Sequence, residues 1–174
     1  MTGRCFVDAN VLVYARDPRA PVKQARAAEW IARLWRERRA CTSVQVLSEF
    51  YVIATRKLEP RVSRELAWDD VRQYLAWPVQ SIDEQVMEGA YRIEYRYRLS
   101  WWDSLVVSAA QALACETLLT EDLQDGMTFG SLRVRNPFLH AVTEPDAEYR
   151  VVPKPVALHR SRGRPRRTLA GAQS

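Results

Sequence analysis

Four acidic side chains stand where the sequence offers little water: Asp8, Glu49, Asp103 and Asp122. Asp8 is the sharpest case, inside the run Phe6-Val7-Asp8-Ala9-Asn10-Val11-Leu12. An unpaired carboxylate in such a place either keeps its proton or finds a cation. Gathered together, four like charges would raise one another's pKa, so a cluster of them makes sense only around a cation. Oxygen ligands without His or Cys select a hard ion, Mg²⁺ or Mn²⁺. The two histidines, His140 and His159, lie beyond the last of these acids, which argues against a zinc site or a His-based triad.

The elements around these residues determine whether they can meet. Residues 4–7 read as a buried strand ending at Asp8, and Asn10 to Tyr14 as the start of a short helix. Pro21 opens a second helix, whose Trp30, Ile31, Leu34 and Trp35 form one apolar face. The opposite face carries Arg33, Arg36, Arg38 and Arg39, cations that complement the helix dipole near its end. Ala40-Cys41-Thr42 is a second strand, and Ser43 caps a helix over 44–57 that is apolar nearly all round and is therefore expected to be largely buried, with Glu49 in its middle. Ser63 caps a helix over 63–76, Pro78 to Ile82 reads as a third strand, and Asp83 caps a helix over 84–98. Ser100 opens a helix running to Ala114, Thr117 to Thr120 is a fourth strand, and Leu132 to Val134 a fifth.

Helices alternating with short apolar strands predict a parallel sheet covered on both faces, an α/β three-layer sandwich. In such sheets, sites form at the carboxyl ends of the strands. Asp8 ends the first strand and Asp122 follows the fourth. Glu49 and Asp103 lie on the first or second turn of helices that start at the same edge.

Each acid also has a structural reading. Asp103 falls three residues after Ser100, the N3 place of a capping box. Asp122 fits an ordinary loop, Asp125-Gly126 an ordinary turn, and Asp8 an Asx turn with Asn10. Glu49 has the fewest alternatives, because Val46, Phe50 and Ile53 surround it.

Apolar residues make up 47% of the 174, enough for a full core and too many for disorder throughout. No apolar run approaches the ~20 residues of a membrane helix, and no signal-peptide pattern opens the chain. Cys5, Cys41 and Cys115 have no metal-like spacing and read as buried free thiols of a cytoplasmic protein. The net charge of +5 is uneven: residues 150–174 carry seven cations and no acid, while residues 1–149 hold 19 basic and 21 acidic side chains.

The motifs resemble those of PIN-domain proteins. Phe6 to Ala15 looks like the opening motif, Ser43 to Arg56 the second with Glu49, and Ser100 to Ala109 the third with Asp103. Leu119 to Gly126 looks like the fourth, with Asp122, and Leu132 to Phe138 the closing strand. As a set they are most similar to VapC-type toxins of toxin–antitoxin pairs. The resemblance implies a five-stranded parallel sheet, a homodimer, and a Mg²⁺-dependent endoribonuclease whose groove a cognate antitoxin occupies. It implies an acidic site of Asp8, Glu49, Asp103 and Asp122, with Asp125 as auxiliary acid and Asn10 and Thr120 as supporting polar groups. Asp8 and Asp103 are then the direct metal ligands, with Glu49 and Asp122 acting through water or holding a second ion.

The nuclease domain is expected over 1–142 and a basic, disordered tail over 143–174. Arg162-Gly163-Arg164-Pro165, followed by Arg166-Arg167, is similar to an AT-hook, but a generic polybasic extension gripping RNA or DNA phosphates accounts for the same residues. Two other functions compete with the nuclease. One is a non-catalytic nucleic-acid-binding module of the same fold, against which the intact acids argue. The other is a phosphohydrolase of the haloacid-dehalogenase type, which needs a second Asp where this chain has Asn10.

Overall fold

The structure is a computed structural model and describes residues 3–139. Its strands are β1 (Arg4–Val7), β2 (Ala40–Ser43), β3 (Val79–Gln80), β4 (Cys115–Leu119), β5 (Thr128–Phe129) and β6 (Leu132–Arg135). Its helices are α1 (Ala9–Tyr14), α2 (Pro21–Glu37), α3 (Val44–Arg56), α4 (Arg64–Tyr74), α5 (Glu84–Tyr97) and α6 (Trp101–Ala112). The expected tail over 143–174, with Arg162, Arg164, Arg166 and Arg167, lies outside the described residues.

The helices begin where their caps dictate. Ser43, Ser63, Asp83 and Ser100 each accept a hydrogen bond from the backbone N–H three residues on, satisfying one of the donors a helix start leaves free. Cys5, Phe6 and Val7 are all buried, as are all four residues of β2. Successive strand residues point to opposite faces, so both faces of the sheet are covered. Burying a side chain the size of Phe6 or Phe50 contributes about 1.5–3 kcal/mol.

The sheet has six strands in the order β3-β2-β1-β4-β6-β5. The five expected strands pair in parallel. The addition is β5, two residues long and antiparallel to β6. Gly130, at φ +65°, and Ser131 turn this hairpin; glycine adopts that left-handed backbone at little cost. Nothing in the polar stretch before it gave a strand signal. From β1 the chain builds outward through β2 and β3, then returns to place β4 on β1's other side. The gap between β1 and β4 is therefore where the sheet's winding reverses, and a crevice opens there at the strands' carboxyl ends.

Helix α3 departs from expectation. It is not buried all round: Val44, Ser48, Glu49 and Val52 are exposed, while Val46, Leu47, Phe50 and Ala54 face the core. Sequence periodicity shows how apolar a helix is, not how much of it neighbouring elements cover. Trp68 and Leu75 of the α4 region are exposed as well, leaving an apolar groove of about 350 Å³ between α3 and α4. By contrast α5 and α6 meet closely. A methyl group on Gly89 would come within 2.3 Å of Ser108 Oγ, and that hydroxyl donates to the Val86 carbonyl at 2.8 Å.

The three cysteines are buried and free, and burial pushes the Cys5 thiol up to about 12. Among the described residues no helix is long and apolar enough to cross a membrane.

Candidate active site

Asp8 sits where β1 stops and α1 starts. Its N–H donates to the Leu119 carbonyl at 3.1 Å, the last rung between β1 and β4. It then caps α1, with Oδ1 accepting from the Ala9 N–H at 2.7 Å. Oδ2 accepts from the Thr120 hydroxyl at 2.7 Å and from Asn10 Nδ2 at 3.2 Å. Thr120 is itself held by β6, since its N–H donates to the Arg135 carbonyl at 3.2 Å.

Asn10 and Thr120 carry the arrangement on to Asp122. Asn10 Nδ2 also donates to Thr120 Oγ1 at 2.8 Å and to Asp122 Oδ2 at 3.0 Å. Two amide hydrogens are thus shared among three acceptors. Thr120 Oγ1 accepts a further bond from the Asp122 N–H at 3.1 Å. Carboxylates from the ends of β1 and β4 are fastened side by side by one amide and one hydroxyl.

Glu49 and Asp103 reach the same place from α3 and α6. The four acids, with Asn10 and Glu121, line one cleft of about 220 Å³. Asp103 also serves its helix: its N–H donates to Ser100 Oγ at 3.1 Å, and the Ser100 hydroxyl donates to Asp103 Oδ2 at 2.7 Å. The capping reading and the cleft reading of Asp103 therefore hold together. Glu49 stands on the exposed side of α3, facing the cleft rather than the core.

The acids feel one another. Burial is the main cause that pushes Asp8 up to about 7; hydrogen bonds from Thr120 and Ala9 oppose it, and the charges of Asp122 and Glu49 add to it. Glu49 is raised as well, first by lost hydration on its cleft side, then by Asp122 and Asp103, against Lys57. Among the described residues the buried Oδ1 of Asn10 has no hydrogen-bond partner.

This donor set suits a hard divalent ion. It is all oxygen, it is crowded with negative charge, and a cation would offset both the burial and the repulsion that raise Asp8 and Glu49. Among the described residues no three such side chains are already grouped closely enough to hold an ion by themselves. Mg²⁺ does not require that, because it keeps several waters and takes one or two carboxylates directly.

Other residues fall differently. Asp125 does not line the cleft; its Oδ1 accepts from the Asn136 N–H at 2.8 Å and fastens the end of β6. Glu121 does line it, paired with Lys23 Nζ at 2.5 Å, and that ammonium also donates to the Tyr14 hydroxyl at 2.9 Å. Sequence reading passed over this trio, because no local pattern connects Lys23 with Glu121. It also passed over Trp102, which forms part of the cleft wall beside Asp103.

The PIN-domain family model matches residues 5–124. No curated protein sequence matches the chain. Among solved structures it is similar to a toxin–antitoxin complex from Klebsiella pneumoniae, with a TM-score of 0.56 and 16% identity over 76% of this chain and 97% of that one. It is also similar to Mycobacterium tuberculosis VapC20, a sarcin–ricin-loop-cleaving toxin, with a TM-score of 0.48 and 17% identity over 66% of this chain and 86% of that one. At these identities the likeness is one of fold.

Proposed function

This chain belongs to the PIN-domain family, and on that premise we propose that it is a Mg²⁺-dependent endoribonuclease acting as the toxin of a toxin–antitoxin pair. One observation carries the reading: Asp8, Glu49, Asp103 and Asp122, far apart in sequence, face one cleft at the sheet's winding reversal. Mn²⁺ fits the same oxygen donors.

Asp8 and Asp103 would hold the ion directly, with Glu49 and Asp122 reaching it through water or holding a second. The chemistry a bound ion supplies is a coordinated water of lowered pKa and neutralisation of charge on the phosphate oxygens. The chain's own part is positioning. Thr120 and Asn10 fix the Asp8 carboxylate against rotation and hold Asp122 alongside it. Asp8, which burial pushes up to about 7, would have to be in its charged form to hold an ion. Asn10 stands where a haloacid-dehalogenase-type hydrolase needs an acid, and its amide donates to Asp8 Oδ2 instead.

A cognate antitoxin covering the cleft and a cytoplasmic setting belong to the same proposal. So does a homodimer, supported by the exposed stripe of Met87, Tyr91 and Tyr95 along one face of α5. The basic tail adds phosphate contacts to RNA or DNA.

The deciding experiment is cleavage of single-stranded RNA by the full chain in Mg²⁺, with chelator and with Asp8→Asn as controls. Fragments that vanish under both controls support the reading. RNA binding with no cleavage under any divalent ion would instead favour the non-catalytic module.

A further inference from the structure

Trp102 is 65% exposed. So large an apolar side chain left in water at the second position of a helix invites an explanation. Its neighbour Trp101 is partly covered and packs against the core. Trp102 turns instead to the acidic cleft, one residue from Asp103. Its carbonyl accepts from Gln45 Nε2 at 3.4 Å, which ties the start of α6 to α3 across the cleft wall.

The cleft wall contains no lysine or arginine among the described residues. A polyanion entering it meets carboxylates, so the grip on a nucleic-acid strand there has to come from uncharged contacts as well as from an ion. Two aromatic rings line the cleft, Tyr14 and Trp102. The Tyr14 ring is already engaged, with Phe138 edge-on at 5.0 Å and the Lys23 ammonium 4.2 Å from its centre. Among the described residues the Trp102 indole has no ring or cation partner. An uncovered aromatic face beside a phosphodiester site is what an unpaired base stacks on.

We propose that Trp102 is the stacking platform for the base next to the phosphodiester bound in the cleft. The inference rests on the ribonuclease reading and names how its substrate is held: as an unpaired strand, recognised partly by a base face. Trp102 is a substrate-binding residue here and takes no part in proton transfer.

The test uses the full chain with Ca²⁺ in place of Mg²⁺ and fluorescence anisotropy of two labelled probes. One is a short single-stranded oligoadenylate. The other is an abasic ribose-phosphate strand of equal length. The wild-type chain is expected to bind the oligoadenylate about 10-fold more tightly than the abasic strand. Trp102→Ala should abolish that preference while leaving abasic binding unchanged, and Trp102→Phe should keep most of it. Exposure of the side chain means both variants are expected to fold, checked by circular dichroism. An undiminished base preference in Trp102→Ala, or no preference in the wild type, overturns the proposal. So does a loss confined to the oligomeric state in sedimentation, which would assign the indole to an interface between copies. Failure of the ribonuclease reading shows separately, as intact RNA after incubation of the wild-type chain with Mg²⁺.

Discussion

The Thr120 hydroxyl donates to Asp8 Oδ2 at 2.7 Å, joining the residue after β4 to the residue after β1. The bond has two effects. It fixes the carboxylate's rotation, and it favours the charged form against burial. Thr120→Val, nearly the same shape without the hydroxyl, should therefore slow RNA cleavage and weaken the Mg²⁺ requirement curve by about 10–100-fold. Thr120→Ser should restore most of both. Initial rates across a Mg²⁺ titration measure the effect. A Val variant as active as the wild type would leave Thr120 with a packing role only.

Asp8 makes the metal-free protein's stability depend on pH. Its folded-state value is raised from 3.8 to about 7, so the folded protein binds this proton more tightly than the unfolded chain does. Stability from this group is therefore fully present below pH 3.8 and is lost as pH rises towards about 7. The whole effect is on the order of 4 kcal/mol. Asp8→Asn cannot ionise and should be more stable than the wild type at pH 8 and similar at pH 4, both in chelator. Thermal unfolding at the two pH values checks this. Adding Mg²⁺ at pH 8 should raise the wild-type midpoint and leave the variant's unchanged.

The features legible in the sequence were the local ones and those set by strand ends. Ser43, Ser63, Asp83 and Ser100 were readable as caps because a cap depends on residues three apart. The meeting of Asp8 with Asp122 was readable because a parallel sheet puts the ends of its strands on one edge. Coverage was less legible. Glu49 lies on the face of α3 that, with Gln45 and Ile53, borders the cleft, and nothing in residues 44–57 states that. The Lys23–Glu121 pair joins residues 98 apart. Asp125 reads as a turn acid, and its bond to Asn136 depends on where β6 ends.

A second charged contact supports the site from behind. Arg16, just past α1, grips Asp70 of α4: Nε meets Oδ2 at 2.7 Å and Nη2 meets Oδ1. Asp70 is buried, while Arg16 keeps 38% of its side chain in solvent, so screening reduces the pair's worth. Asp70→Asn should cost about 1–3 kcal/mol in urea denaturation. Arg16→Met combined with Asp70→Asn should cost less than the two single changes added together, since neither partner is then left facing a missing charge. Strict additivity would mean the two side chains do not stabilise each other. A smaller loss of cleavage should accompany the loss of stability, because α1 carries Asn10 and Tyr14 on the cleft side.

Phe138 packs edge-on against Tyr14, and its carbonyl accepts from Arg26 Nη1 at 2.7 Å. Tyr14 lines the cleft, so Phe138 stands at the cleft's rim. Among the described residues the cleft wall has no lysine or arginine, and residues 150–174 carry seven cations. On the proposed reading those cations add phosphate contacts to the strand being cut. Removing residues 150–174 should therefore weaken binding of single-stranded RNA and flatten its salt dependence, measured on the cleavage-deficient Asp8→Asn background. If four of the arginines contact phosphates, the slope of log K against log salt should fall by about 3. In the chain that keeps Asp8, the same truncation should leave the position of the cut unchanged, because the acids and Trp102 stay in place. A truncated chain with the same slope would mean the tail does not touch the substrate, whatever else it binds.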